Sequence, residues 1–242
     1  MNIKGCGEIV QKIPLLMVPG LLCNATLWAH QSRYLGDIAA VTIVDTMADA
    51  DFPAMVERAL EAAPPHFALA GLSMGGYIAL EFIRQAADRV IKLALLATSA
   101  RPETADRIAQ RLPLLALAEQ GKFNGVSPRL LPSFLHPGRL DDKALTDAVM
   151  DMAAGTGPGA FIRQQKAIMA RPDNRPLLAG IAVPTVVICG RQDQATPVAR
   201  HEEIAAGISR ARLCIIEECG HLSAMERPHA VTALMRDWLL RD

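Results

Sequence analysis

Six short apolar runs recur along the chain, at residues 15–18, 41–44, 67–70, 93–97, 185–189 and 213–216. Each is too short for an amphipathic helix and shows no polar alternation. Such runs suit strands buried on both faces, as in a parallel sheet. Segments with helical character separate most of them, at 52–62, 77–86, 198–206 and 228–240. Strands alternating with helices predict an α/β fold, with a mostly parallel central sheet and helices on both of its faces.

The alternation stops between residues 101 and 175. That stretch is rich in Ala, Leu, Met, Arg and Gln, and is punctuated at Pro128, Pro132, Pro137-Gly138 and residues 155–159. It reads as several short helices. Roughly 75 residues between two strands exceed any ordinary crossover. The expected organisation is therefore a core built from residues 1–100 and 176–242, with residues 101–175 inserted as a helical cap over the C-terminal edge of the sheet. A purely structural helical subdomain is the alternative.

The 242 residues suffice for one α/β domain with an insertion, and 51% apolar content supports a sizeable core. Net charge is zero, which removes the electrostatic signature of nucleic-acid binding. Five cysteines, an odd number without a C-x-x-C pair, argue against zinc and suit a reducing compartment. The apolar segment 13–23 has the flavour of a signal-peptide core, but Pro14 and Pro19-Gly20 interrupt it. No run approaches the roughly 20 residues of a membrane span. A cytoplasmic protein without membrane or nucleic-acid partners is expected.

One hexapeptide carries chemistry, Gly71-Leu72-Ser73-Met74-Gly75-Gly76. It joins an apolar strand-like run to an apolar helix-like segment, the context of a nucleophile elbow. A serine bent into so tight a turn projects its hydroxyl outward, and glycines on either side let strand and helix approach closely. The alternative is an incidental Gly-rich turn, so the remaining chain must supply a base and an acid. Among the histidines, His221 follows the last strand-like run, at the sheet edge where Ser73 must lie; His136 falls in the inserted segment, and His30, His66, His201 and His229 are better placed for structural roles. Asp193 is the one carboxylate in the loop after residues 185–189; the alternative role for it, capping the helix near Pro197, is one that Thr196 fits better. The loop after the first strand should lie beside the elbow. Its Leu21 amide, paired with that of Met74, would form an oxyanion hole. Leu22, Phe134, Phe161 and Leu222 are the expected substrate contacts, and Arg129, Arg139 or Arg163 could meet a substrate carboxylate.

Ser, Asp and His in that order, each just after a strand, together with Pro19-Gly20-Leu21 and Trp28, Gly190-x-x-Asp193-x-x-Thr196-Pro197, and Gly220-His221 before Glu226-Arg227-Pro228, resemble the α/β-hydrolase fold along essentially the whole chain. The capped, esterase-like branch is most similar. The resemblance implies a serine hydrolase of a small-molecule ester that uses Ser73, Asp193 and His221 and needs no cofactor or metal. A monomer or a homodimer is compatible with it. It equally admits C–C bond hydrolysis or lyase chemistry on the same three residues, or a slow-turnover receptor. Two departures stand out. Pro19 occupies a position where the family often has His, and a truncated leading hairpin is expected, with residues 8–10 supplying one brief strand.

Overall fold

A computed structural model describes residues 12–123 and 125–241. The predicted brief strand at residues 8–10 lies outside them. Six strands form one wholly parallel sheet in the order β2-β1-β3-β4-β5-β6. They are β1 (Ile13–Val18), β2 (Ala39–Ile43), β3 (Phe67–Leu72), β4 (Val90–Leu96), β5 (Thr185–Gly190) and β6 (Ala211–Ile216). All six apolar runs are strands, with ends displaced by up to three residues. Both β3 and β5 are buried along their whole length, which is why neither alternates in sequence.

The period-two direction of side chains splits the core into two layers. Leu15, Met17, Ala68, Ala70, Leu72, Ala94, Leu96, Val186 and Ile188 face one side, where Leu35 of α1 (Ala29–Leu35) and Met235 and Trp238 of the C-terminal helix Pro228–Leu240 pack. Leu16, Val18, Phe67, Leu69, Leu93, Leu95 and Val187 face the other, against α2 (Phe52–Ala62) and α3 (Met74–Ala86). Phe67 and Phe82 meet there edge to face, with ring centroids 5.9 Å apart.

Between β4 and β5 the chain forms α4 (Ala105–Glu119), α5 (Lys143–Ala170) and the single turn α6 (Arg175–Leu178). The expected series of helices is present, and its longest span, α5, is itself divided. Gly157, at φ 76° and ψ 170°, leaves helical geometry just before Pro158, so α5 consists of two helical segments that meet at this break. A proline lacks the amide that would continue the ladder, and glycine accepts the positive φ, so the pair breaks the helix. The core resumes through β5, α7 (Val198–Gly207), β6, α8 (Ser223–Glu226) and the C-terminal helix, α9.

In the strand order, β1 has β2 on one side and β3 on the other. The connections leave in opposite directions there, so a crevice opens at the carboxyl ends of β1 and β3. The loop after β1 and Ser73 after β3 are brought together by this pairing, in which Val18 stands opposite Gly71.

Candidate active site

Ser73 is the residue between β3 and α3, at φ 58° and ψ −114°. Few non-glycine residues adopt this conformation, and the surroundings enforce it. Its amide donates to the Leu96 carbonyl (2.9 Å), and its carbonyl accepts from the Thr98 hydroxyl (2.8 Å). Strand and helix approach so closely that a Cβ on Gly71 would fall 2.1 Å from the Gly75 carbonyl oxygen. The two glycines are thus fixed by sterics rather than by flexibility.

Ser73, Asp193 and His221, 148 positions apart at most, come together. Ser73 Oγ is 2.9 Å from His221 Nε2, and His221 Nδ1 is 2.9 and 3.0 Å from the two Asp193 oxygens. Asp193 also accepts from the amides of Ala195 (2.9 Å) and Thr196 (2.8 Å) and from the Thr196 hydroxyl (2.7 Å). Burial opposes ionisation of this carboxyl, but the imidazole and the Thr196 donors outweigh it and hold the group below its ordinary range. Thr196 thereby serves Asp193 directly. It does not cap α7, whose N-cap is Pro197.

His221 is held from behind. Its amide donates to the Phe134 carbonyl (2.8 Å). One oxygen of the fully buried Glu226 accepts from the amides of Gly220 (3.1 Å) and His136 (2.7 Å), tying the histidine loop to the inserted segment. Burial raises the Glu226 carboxyl, although these amide donors act in the opposite sense. Glu226 was visible in sequence only as part of Glu226-Arg227-Pro228, with no hint of its partners.

The loop after β1 abuts the serine. A Cβ on Gly20 would lie 3.5 Å from Ser73 Cβ. Leu22 takes φ 59°, and its amide donates to Gln164 Oε1 (3.1 Å), while Gln164 Nε2 donates to the Thr46 carbonyl (3.1 Å). Among the described residues the amides of Leu21 and Met74 donate to no protein acceptor. The Met74 side chain is buried in the core below the sheet, so only its backbone is available to the site.

A cavity of about 440 Å³ lies over these groups. Ser73, His221, Leu21 and all four expected substrate contacts, Leu22, Phe134, Phe161 and Leu222, line it. So do Leu114, Leu117, Phe123 and Leu130 of the inserted segment, whereas Leu115 and Leu131 turn into the core. The arginines differ from expectation. Arg139 pairs with Asp142, Arg163 donates to the Met47 carbonyl, and neither they nor Arg129 line the cavity. Arg107 and Arg111 of α4 do. Helical register decides which arginine faces inward, and the register of α4 was not legible beforehand. His136 contributes its backbone, and His201 is fully buried, its Nε2 accepting from the Thr98 amide (2.9 Å).

Cys23 also lines the cavity, but burial pushes its thiol up to about 12 despite a backbone hydrogen bond acting the other way. It is a protonated, weak nucleophile there. No grouping of three or more His, Cys, Asp or Glu suited to a metal occurs among the described residues, and no helix among them is long and apolar enough to cross a membrane.

A family model described as the alpha/beta hydrolase fold matches residues 29–228. Pimeloyl-[acyl-carrier protein] methyl ester esterase of Neisseria meningitidis is 27% identical over 173 residues, covering 70% of this chain and 68% of that one. The 2-hydroxy-6-oxononadienedioate/2-hydroxy-6-oxononatrienedioate hydrolase of Klebsiella pneumoniae is 24% identical, over 100% of this chain and 91% of the other. Among solved structures, a thermophilic esterase from Thermogutta terrifontis superposes with a TM-score of 0.85 at 26% identity, covering 95% of this chain and 90% of that one.

Proposed function

Since the chain belongs to the α/β-hydrolase family, we propose that it is a serine hydrolase cleaving a small carboxylic ester through an acyl-enzyme. The observation that carries this reading is the 2.9 Å approach of Ser73 Oγ to His221 Nε2, with Asp193 behind the imidazole. A serine hydroxyl is a weak nucleophile until a base takes its proton. In this reading His221 removes the Ser73 proton as Oγ attacks the ester carbonyl. Asp193 fixes the imidazole with Nδ1 protonated and stabilises the imidazolium. The developing oxyanion is received by the Leu21 and Met74 amides, the second of which opens α3 and adds the positive end of a helix dipole. His221 then returns the proton to the leaving alcohol and activates water against the acyl-enzyme. Every step uses side chains and amides of this chain.

Residues 101–175 act in this proposal as a cap that encloses the substrate and supplies most of the apolar wall. The methyl ester esterase and the thermophilic esterase named above support an ester substrate, while the 2-hydroxy-6-oxononadienedioate/2-hydroxy-6-oxononatrienedioate hydrolase keeps C–C bond hydrolysis as the second reading.

The test is turnover of a chain-length series of p-nitrophenyl esters by the native protein and by Ser73→Ala. Serine-dependent turnover, lowered at least about 10³-fold in a folded alanine variant, is expected. Undiminished turnover by the alanine variant would overturn the proposal. Absent ester turnover, together with fluorophosphonate labelling of Ser73, would move the assignment to C–C bond hydrolysis on the same residues.

A further inference from the structure

The chain as a whole carries no net charge, but the cavity over Ser73 does. Arg107, Arg111 and Lys122 line it, and no aspartate or glutamate does among the described residues. The rest of the inserted segment's lining is mostly apolar, with Ser127 and Gln165 as its neutral polar members.

The register of α4 explains the arrangement. Arg107 and Arg111 are four residues apart and therefore share a face, and Leu114 and Leu117 continue the same stripe. The stripe is cationic at its start and apolar at its end. Arg111 is already committed. It donates to Glu103 (2.7 Å) and Gln165 (2.7 Å), and Arg171 shares the same buried carboxylate at 2.9 Å. Two guanidinium groups on one carboxylate leave a positive charge uncompensated. Arg107 has no carboxylate within ion-pair distance among the described residues. It donates only to a neutral acceptor, the Ala195 carbonyl (2.8 Å). Ala195 stands two residues after Asp193 and donates its own amide to that carboxylate, so Arg107 is anchored at the triad end of the cavity.

An uncompensated, partly buried guanidinium that faces a cavity and rests on a carbonyl is poised for an anion. Its planar fork matches a carboxylate, and the enclosing apolar wall strengthens the attraction relative to water. Resting on the reading of this site as an ester hydrolase, we infer that Arg107, flanked by Arg111, is a subsite for a free carboxylate, and that the substrate is an ester bearing a second, ionised carboxylic acid.

Two substrate series test this. Monomethyl succinate, glutarate and adipate place the charge in the acyl part and are compared with methyl butyrate, pentanoate and hexanoate. The acetyl esters of hydroxyalkanoic acids place it in the alcohol part and are compared with the acetates of neutral alcohols. In one series the charged member should be preferred in kcat/KM by about tenfold or more, through KM. The preference should weaken as salt is raised. Arg107→Gln should bring the charged-to-neutral ratio close to one, and Arg107→Lys should restore part of it. Binding of adipate to the native protein and to Arg107→Gln by calorimetry is read independently of turnover. Neutral esters cleaved with no charged preference in either series, and adipate bound no better by native protein than by Arg107→Gln, would overturn the subsite while leaving the hydrolase reading standing. Arg107-dependent adipate binding without any ester cleavage would keep the subsite and overturn the ester reading.

Discussion

The Val18 carbonyl oxygen lies 2.1 Å from the place a Cβ on Gly75 would occupy. Strand β1 and helix α3 touch backbone to backbone at that point. The contact sets how far the elbow projects from the sheet, and through it the position of Ser73.

Gly75→Ala is accordingly expected to cost about 3 kcal/mol or more, because a backbone carbonyl of a central strand cannot swing aside as a side chain can. Chemical denaturation with a fluorescence readout measures the loss. An alanine variant with the native midpoint would mean that the elbow tolerates a wider turn than the contact allows.

Ser73 itself holds a φ of 58° that glycine adopts without penalty. Ser73→Gly should therefore be more stable than Ser73→Ala by about 1 kcal/mol, while both lack turnover. The comparison isolates backbone strain, since neither variant keeps the hydroxyl. Equal melting of the two would show that the turn stores no strain.

Much of this architecture was legible in the residues, for an identifiable reason. Strands β3 and β5 are buried on both faces, so Phe67-Ala68-Leu69-Ala70 and Thr185-Val186-Val187-Ile188 could hardly be anything else. Ser73, Asp193 and His221 each follow a strand, and a parallel sheet gathers all such positions at one edge. The inserted segment was opaque because its helices show apolar residues on more than one face. Leu112, Leu114 and Leu117 of α4 are all substantially exposed, so no stripe announces which side meets the substrate. Arginines 107, 111, 129, 139 and 163 are therefore indistinguishable until the helix is seen in register. Supporting groups such as Gln164 and Glu226 were silent for a different reason, since their partners are backbone amides more than a hundred or about ninety residues away or, for Gly220, six residues away.

Gln164 offers the clearest test of such support. It is fully buried and spans from the Leu22 amide to Thr46, fixing the loop that carries Leu21. Gln164→Leu removes the acceptor at nearly constant volume and leaves a buried amide unpaired, at a cost of about 1–3 kcal/mol. As a positioning residue it should lower kcat by roughly 10- to 100-fold, because small displacements of oxyanion donors are expensive. The split between kcat and KM is the informative readout. A stability loss with unchanged kcat would reduce Gln164 to a structural role.

Cys23 should prove inert despite lining the cavity. With its thiol raised to about 12 by burial, almost none is thiolate near neutral pH. Iodoacetamide should label it far more slowly than a free thiol, and Cys23→Ala should retain serine-dependent turnover. Rapid alkylation accompanied by loss of activity would show that the loop opens and that the thiol communicates with the site.

His201 links the pH dependence of folding to the site. It is fully enclosed beneath the elbow, and its Nε2 accepts the Thr98 amide while the Thr98 hydroxyl holds the Ser73 carbonyl. Burial lowers its pKa from the usual 6.5 to about 4, even though the Asp193 charge acts in the opposite direction. The folded protein keeps this imidazole neutral throughout that interval, whereas the unfolded chain takes up a proton near 6.5. More protons are bound by the unfolded state, so folding stability rises with pH across the window. The contribution is complete above pH 6.5 and is lost progressively as the pH falls towards 4, where the folded form is protonated as well. A gap of this size corresponds to about 3 kcal/mol. His201→Gln keeps an acceptor for the Thr98 amide but cannot titrate, so its urea midpoint should fall less steeply than that of the native protein between pH 6.5 and 4. Subtracting the two curves cancels the carboxylates common to both. Parallel curves would mean that His201 is protonated in the folded state, and that Thr98 is held by some other acceptor.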